Sequence, residues 1–357
     1  MTFFLSLVWF LYVWWLYPVR PWGASKGYFG FYDQSQYLAI ARDLASGHVP
    51  SREGYVYGLA YPLLAAPFLK LGLQTEPFLV PDALAFAGTM TMVAVIGWRL
   101  RSLAFGIICA AALALASPLT DLTIVPWSST ITLVAVAAVL LVVTAPRVGW
   151  PGALVIGVAI GACFAARYVD AAFPAMIGYA GLFWNQVNRL RLLAIATVTA
   201  AVIIGLVLLT HWLILGNPLT TPYASHLPPG NTGPSDQDLR SFDLLKVVGR
   251  AVGAFITARQ GFQRVPGQPL GALFPWAIAA PLGLWALLAE RHPLRWIFTV
   301  AFAASVIGTV FYLSFRASGA GGLQFGFLHY FKVWFPIWGI LAAYGIARLL
   351  DRLTYLK

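Results

Sequence analysis

Charged side chains are scarce in this 357-residue chain, so those beside long apolar runs are the first candidates for chemistry. Carboxylates accept protons, cations hold anions, and histidine does either according to its protonation. Asp33 follows the first apolar run, within GYFGFYDQSQYLAIARDLASGHVPSREGYVYGLAYPLLAAP, and opens a short amphipathic stretch with Tyr37, Ile40, Ala41 and Leu44. An Asp at that place accepts backbone N–H groups at a helix start, and N-capping by itself accounts for it. Arg167 and Asp170 stand three apart, the spacing of a local ion pair. Lys332 falls one turn into the last apolar run, where its stem could carry the ammonium out to the membrane surface. His329, just before Tyr330, suits a hydrogen-bonded residue at a helix start, and His211 beside Trp212 reads as a polar core residue. Cys109 and Cys163, inside IICAA and GACFA, read as small buried hydrophobes rather than disulfide partners or metal ligands.

The elements that position these groups must be membrane helices. Hydrophobic residues make up 60% of the chain and charged ones 10%, against roughly 25% charged in a soluble domain. A water-facing surface cannot be built from so few, which excludes a soluble enzyme. The net charge of +11 does not mark a nucleic-acid binder, because the basic residues sit mostly in pairs between apolar runs. Spanning a hydrocarbon core of about 30 Å takes roughly 20 apolar residues. Apolar runs fall at 3–18, 82–98, 103–117, 127–145, 150–166, 171–187, 192–215, 270–289, 294–315 and 327–350. The fold class expected is all-α: a polytopic membrane protein of about ten spans, forming a single domain over 1–357. Phe3–Tyr17 lacks a charged leader and a small-residue cleavage site, so it reads as a retained first span.

Basic residues set the orientation. With a cytoplasmic N-terminus, the gaps holding Arg99 and Arg101, Arg147, Arg189 and Arg191, and Arg291 and Arg295, with the tail of Arg348, Arg352 and Lys357, all fall on the cytoplasmic side. Both termini are then cytoplasmic, in a plasma (inner) membrane. The long gaps 19–81 and 216–269 become external loops, joined outside by the Arg167–Asp170 turn. Segment 55–74 is apolar enough to span, but two prolines and Lys70 interrupt it, and its tyrosines suit a membrane surface. It is expected to lie along the outer face, bordering a lipid groove with the last span. The stretch 217–238 reads as a Pro/Gly-rich loop, and Phe242–Ala258 as an amphipathic surface helix.

The first external loop resembles that of the GT-C superfamily of membrane glycosyltransferases. The matching features are Asp33, Tyr37, Ala41–Leu44–Gly47–Pro50, Tyr57–Gly58 and Tyr61–Pro62. The likeness continues through Ser117–Leu141, Ile156–Ala175, Leu213–Tyr223 and Phe327–Leu350, in the family's order. Protein O-mannosyltransferases and other relatives carry Asp-Glu where this chain has Asp33-Gln34, and an Arg where it has His329. No sizeable soluble domain is expected after the last span.

The resemblance implies a hexosyl- or pentosyltransferase taking a sugar from a polyprenyl-phosphate carrier, with inversion, and passing it to a glycan, lipid or protein of the envelope at the outer face. Its partners are the lipid-linked donor, membrane lipids and that acceptor, with no nucleic acid. Asp33 becomes the general base that takes the acceptor's proton. Arg167, His329, Tyr330, Lys332 and Arg52 become candidates for the lipid and its phosphate, where negative charge grows on the leaving group. Tyr37, Tyr57, Tyr61, Asp170 and His226 become candidates for the sugar or acceptor, with Asp236 beside His226 in the second loop. Gln34 removes one carboxylate of the Asp-Glu pair, so no metal and no other cofactor is assigned. A transporter of lipid-linked intermediates is the rival reading, although such proteins place binding groups near the bilayer midplane within inverted repeats. A non-catalytic subunit of the same fold is the other rival.

Overall fold

The computed structural model describes residues 1–16, 32–116, 123–185, 188–222, 275–317 and 328–355. His226, Asp236 and the stretch Phe242–Ala258 lie outside the described residues. Among those described, the regular structure is helical, with no strand. In chain order the helices are α1 (Thr2–Leu16), α2 (Tyr32–Ala45), α3 (Ala60–Lys70), α4 (Leu79–Leu100), α5 (Leu103–Leu115), α6 (Ser129–Val143), α7 (Trp150–Ala166), α8 (Ala172–Asn185), α9 (Arg189–Leu215), α10 (Pro275–Ala289), α11 (Arg295–Ala317), α12 (Leu328–Phe331) and α13 (Phe335–Tyr355). A 3₁₀ turn at Tyr168–Ala171 joins α7 to α8, and another at Lys332–Trp334 joins α12 to α13.

Every apolar run read from the sequence coincides with a helix. Leu79–Leu100, Arg189–Leu215, Arg295–Tyr312 and Lys332–Thr354 are each long and apolar enough to cross a membrane, while Thr2–Leu16, Leu103–Leu115, Ser129–Val143, Trp150–Ala166 and Ile278–Ala289 are apolar and shorter. The chain is a membrane-embedded helical protein. The run 327–350 stays helical through the 3₁₀ turn at Lys332–Trp334, and Pro336 sits in the first turn of α13, where its missing N–H costs nothing. Segment 55–74 yields only α3, whose 11 residues extend about 16 Å. That is half of what a crossing requires.

Contacts divide the chain into two units, Met1–Met92 with Thr120–Gly233, and Val93–Leu119 with Pro234–Lys357. In the first, α6, α7, α8 and α9 run up and down, so α7 and α9 are parallel. Glycines set their spacing. A Cβ on Gly157 would collide with the Ala196 carbonyl and Thr199, and one on Gly161 with Ile203. Backbones can approach this closely only where small residues face the neighbouring helix. In the second unit, α10 packs along α13 by the same device, with Gly283 against the Leu341 carbonyl and Gly345 against Gly283.

Helices α2 and α3 form a small antechamber to the first unit. Tyr37, Leu38 and Ala41 of α2 pack with Tyr61, Ala65 and Leu69 of α3 and with Phe78. The Ala41–Leu44–Gly47–Pro50 motif now has a local cause. Gly47 adopts a left-handed φ of 79° and donates its N–H to the Leu44 carbonyl, while the His48 N–H bonds Asp43, closing the helix.

Candidate functional site

Asp33 lies in the first turn of α2, not before it, and its half-buried carboxylate takes a bond from the side of the fold. The Tyr57 hydroxyl donates to its Oδ1 at 2.6 Å. Among the described residues that is the one hydrogen bond to the carboxylate, so Oδ2 is open. The N-cap reading therefore does not account for where Asp33 is held.

Tyr57 is placed by its neighbours. Its ring lies 4.9 Å from that of Tyr37, which in turn meets Tyr61 edge-on at 5.4 Å. Tyr37 is buried, with its hydroxyl 3.1 Å from Ser128 Oγ. Tyr61 is fully buried, stacks on Phe78 and donates to Asp82 Oδ2 at 2.7 Å. Asp82, a buried carboxylate in the first turn of α4, was passed over in the sequence as the edge of an apolar run. Its position beside a run was the signal available. Tyr61 and Asp82 line a cavity of about 840 Å³ walled by α3, α4, α6 and α7. The cavity has α3 on one wall and lies wholly within the first unit.

A second cluster gathers where α7 ends. Arg167 Nε lies 3.2 Å from Asp170 Oδ2, and the Thr132 hydroxyl donates to the same oxygen at 2.6 Å. Asp170 is 1% exposed, so this is an ion pair shielded from water rather than a surface contact. Next to it, the Tyr168 hydroxyl lies 3.1 Å from His211 Nε2, and His211 Nδ1 lies 3.2 Å from the Pro218 carbonyl. A carbonyl only accepts, so Nδ1 carries the proton and Nε2 of a neutral ring accepts from Tyr168. His211 is indeed a hydrogen-bonded core residue. Burial pushes the Tyr55 and Tyr168 phenols well above their ordinary range, and Tyr55 adds to the shift at Tyr168, so both remain neutral donors.

The loop 55–59 ties the clusters together. Tyr55 faces His211 with rings 5.9 Å apart, Tyr57 holds Asp33, and between them Gly58 presses on the end of α7. A Cβ on Gly58 would overlap the Ala165 carbonyl oxygen, so only glycine fits. The structure thus joins Asp33, Tyr37, Tyr57 and Tyr61 in one set, and Arg167 and Asp170 in an adjoining one. Arg52 is exposed at the head of the loop. Tyr330 and Lys332 belong to the second unit, where Tyr330 stacks on Tyr312 at 4.5 Å and Lys332 is fully buried in the 3₁₀ turn. His329 is in α12. Among the described residues, no three His, Cys, Asp or Glu side chains gather closely enough to hold a metal ion.

Comparison with solved structures finds a similar helical architecture. The chain is similar to the crystal structure of ArnT from Cupriavidus metallidurans in the apo state, with a TM-score of 0.55, 16% identity and 89% of this chain covered. The match covers 55% of that chain, so the present chain spans about half the length of ArnT. At this identity the likeness is one of fold alone. No family model and no curated protein matches the chain.

Proposed function

We propose that this protein is a GT-C glycosyltransferase that moves a sugar from a polyprenyl-phosphate carrier to an envelope acceptor at the outer face of the bacterial plasma membrane. The observation that carries the proposal is the Asp33 carboxylate, with Oδ1 tied to Tyr57 and Oδ2 open. In the reaction an acceptor hydroxyl attacks the anomeric carbon opposite the phosphate and gives its proton to Oδ2. The bond from the anomeric carbon to the phosphate oxygen breaks, its electron pair leaves with the carrier phosphate, and the configuration inverts. Positive charge near that phosphate stabilises the transition state. Within the first unit Arg52 and Arg167 are our candidates, Arg167 being oriented by Asp170. His329, Tyr330 and Lys332 are proposed for the lipid phosphate on the resemblance alone. Tyr37, Tyr61, Asp170 and His226 are proposed to shape the acceptor or sugar pocket, Tyr37 and Tyr61 through the packing around Tyr57.

The same proposal includes ten spans, cytoplasmic termini and α3 lying along the outer surface. Single cysteines at Ser51 and Thr75 test it: both should react with an impermeant reagent from outside, and a Thr75 site reached only from the cytoplasm would overturn it.

The decisive measurement is transfer by Asp33→Asn on a defined polyprenyl-phosphate sugar. Asn is nearly isosteric and keeps an oxygen for Tyr57, so stability should fall by about 1 kcal/mol at most. The amide cannot take the proton, and the rate should fall roughly 10²–10⁴-fold. Near-wild-type transfer would refute the mechanism, and a wild type inactive with every such donor would refute the activity.

A further inference from the structure

The end of the first unit remote from Asp170 carries a patch that the proposed reaction does not use. We propose that the starts of α7 and α9 form a binding site for the phosphate headgroup of an anionic phospholipid, built by Arg147, Arg189 and Arg191 and flanked by Trp150 and Trp184. This rests on charge and geometry alone and is independent of the proposed activity.

The placement follows from the packing register. Gly157 meets Ala196, each seven residues into its helix, so Trp150 and Arg189 begin parallel helices at the same level. Helix α8 returns to that level, with Gly181 on Val143 near the end of α6, which brings Phe183 and Trp184 there too. Arg147 lies in the short connection from α6 to α7. The three arginines are therefore placed at one end of the first unit, all exposed. Arg189 stacks 4.8 Å from the Phe183 ring centre.

No acidic residue occurs from 122 to 169 or from 171 to 235, and Asp170 is at the opposite end of α7. None of the three makes an ion pair among the described residues. The site faces lipid rather than free solution. Only 17% of the apolar window of α9 is buried, so most of that helix is lipid-facing. Its 27 residues extend about 40 Å, beyond a hydrocarbon core of about 30 Å, which puts Arg189 and Arg191 at headgroup depth. Trp150 and Trp184, 60% and 53% exposed, suit the same level. Basic pockets between helices on the cytoplasmic side hold anionic headgroups in this way.

Native mass spectrometry of the full chain from nanodiscs of phosphatidylglycerol in phosphatidylcholine tests this. Phosphatidylglycerol should remain bound in preference to phosphatidylcholine and be lost as salt rises. Each Arg→Gln change should weaken retention about fivefold, and the triple change by about two orders of magnitude. Arg191→Lys, which keeps the charge, should hold most of it, and Arg101→Gln should leave it unchanged. A photoactivatable phosphatidylglycerol on the wild-type protein should label peptides from the starts of α7 and α9, which needs no variant to fold. Equal retention of both lipids, labelling elsewhere, or displacement of lipid by inorganic phosphate at comparable concentration would overturn the proposal.

Discussion

The two units hold their half-exposed carboxylates differently. In the first, Asp33 has one oxygen bonded and one open, and the polar groups around it come from a loop, a short helix and helix ends. In the second, a closed network forms. Arg348 bonds Glu290 at 2.6 Å and Asp351 at 3.3 Å, Arg101 bonds the other Asp351 oxygen at 2.8 Å, and the Tyr344 hydroxyl donates to Glu290 at 2.7 Å. Nearby, His292 in the turn between α10 and α11 accepts from the Leu294 N–H, and burial holds its affinity for a proton below the ordinary value. This network fastens α10 and α13 and the turn after α4. Asp33 differs in having one oxygen held by a neutral tyrosine and no cation paired with it among the described residues.

That contrast can be broken by mutation. The largest expected effect is the loss of transfer in Asp33→Asn described above, with the melting temperature nearly unchanged. Next comes Gly58→Ala. Its methyl group must push the loop off Ala165, and overpacking of this kind costs about 1–3 kcal/mol. Thermal unfolding should show that loss, and transfer should fall with it because Tyr57 moves. Tyr57→Phe is a cleaner perturbation. It deletes the bond to Asp33 and leaves the ring packing, and a hydrogen bond to a charged group is worth about 1.5–3 kcal/mol. The turnover rate should drop by roughly an order of magnitude, with the fold and expression retained and the unfolding temperature lowered modestly. A Tyr57→Phe enzyme as fast as wild type would separate Tyr57 from the mechanism. The smallest effect is expected at Arg348→Gln. Partly exposed ion pairs contribute about 0–1 kcal/mol each, so stability should fall slightly and transfer should stay near wild type. Strong loss of transfer there would erase the distinction between the two regions.

Much of this was legible in the sequence. The ends of the apolar runs predict most helix boundaries within a few residues, because hydrophobicity at membrane length is a local signal. Gly47 and Gly216 also announce their helix ends, the latter with φ of 76° directly after α9. What escaped was tertiary. Tyr61 and Asp82 are 21 positions apart, Thr132 and Asp170 are 38 apart, and Tyr168 and His211 are 43 apart. No periodicity within a run says which residue of another run it will meet. The tightened 3₁₀ turn at Lys332–Trp334 had a signal in Pro336 just beyond it. Arg167 and Asp170 were paired correctly by spacing, but the burial that distinguishes them from a surface pair comes from Thr132 and the packed end of α7.

The unequal lengths of the parallel helices have a mechanical consequence. Counting from the register of Gly157 and Gly161, α7 stops at Ala166 while α9 continues for about two more turns. His211 rides on that overhang, and Tyr168 is bonded to it. The outer faces of Trp212 and Leu213 on the same overhang are exposed to lipid. The same helix end thus carries both an exposed apolar face and a hydrogen-bonded member of the cluster beside Asp33. Mismatch between a span and its bilayer is met by tilt or by local deformation of the lipid. Transfer measured in bilayers of graded acyl-chain length would therefore show whether strain at the overhang reaches the cluster.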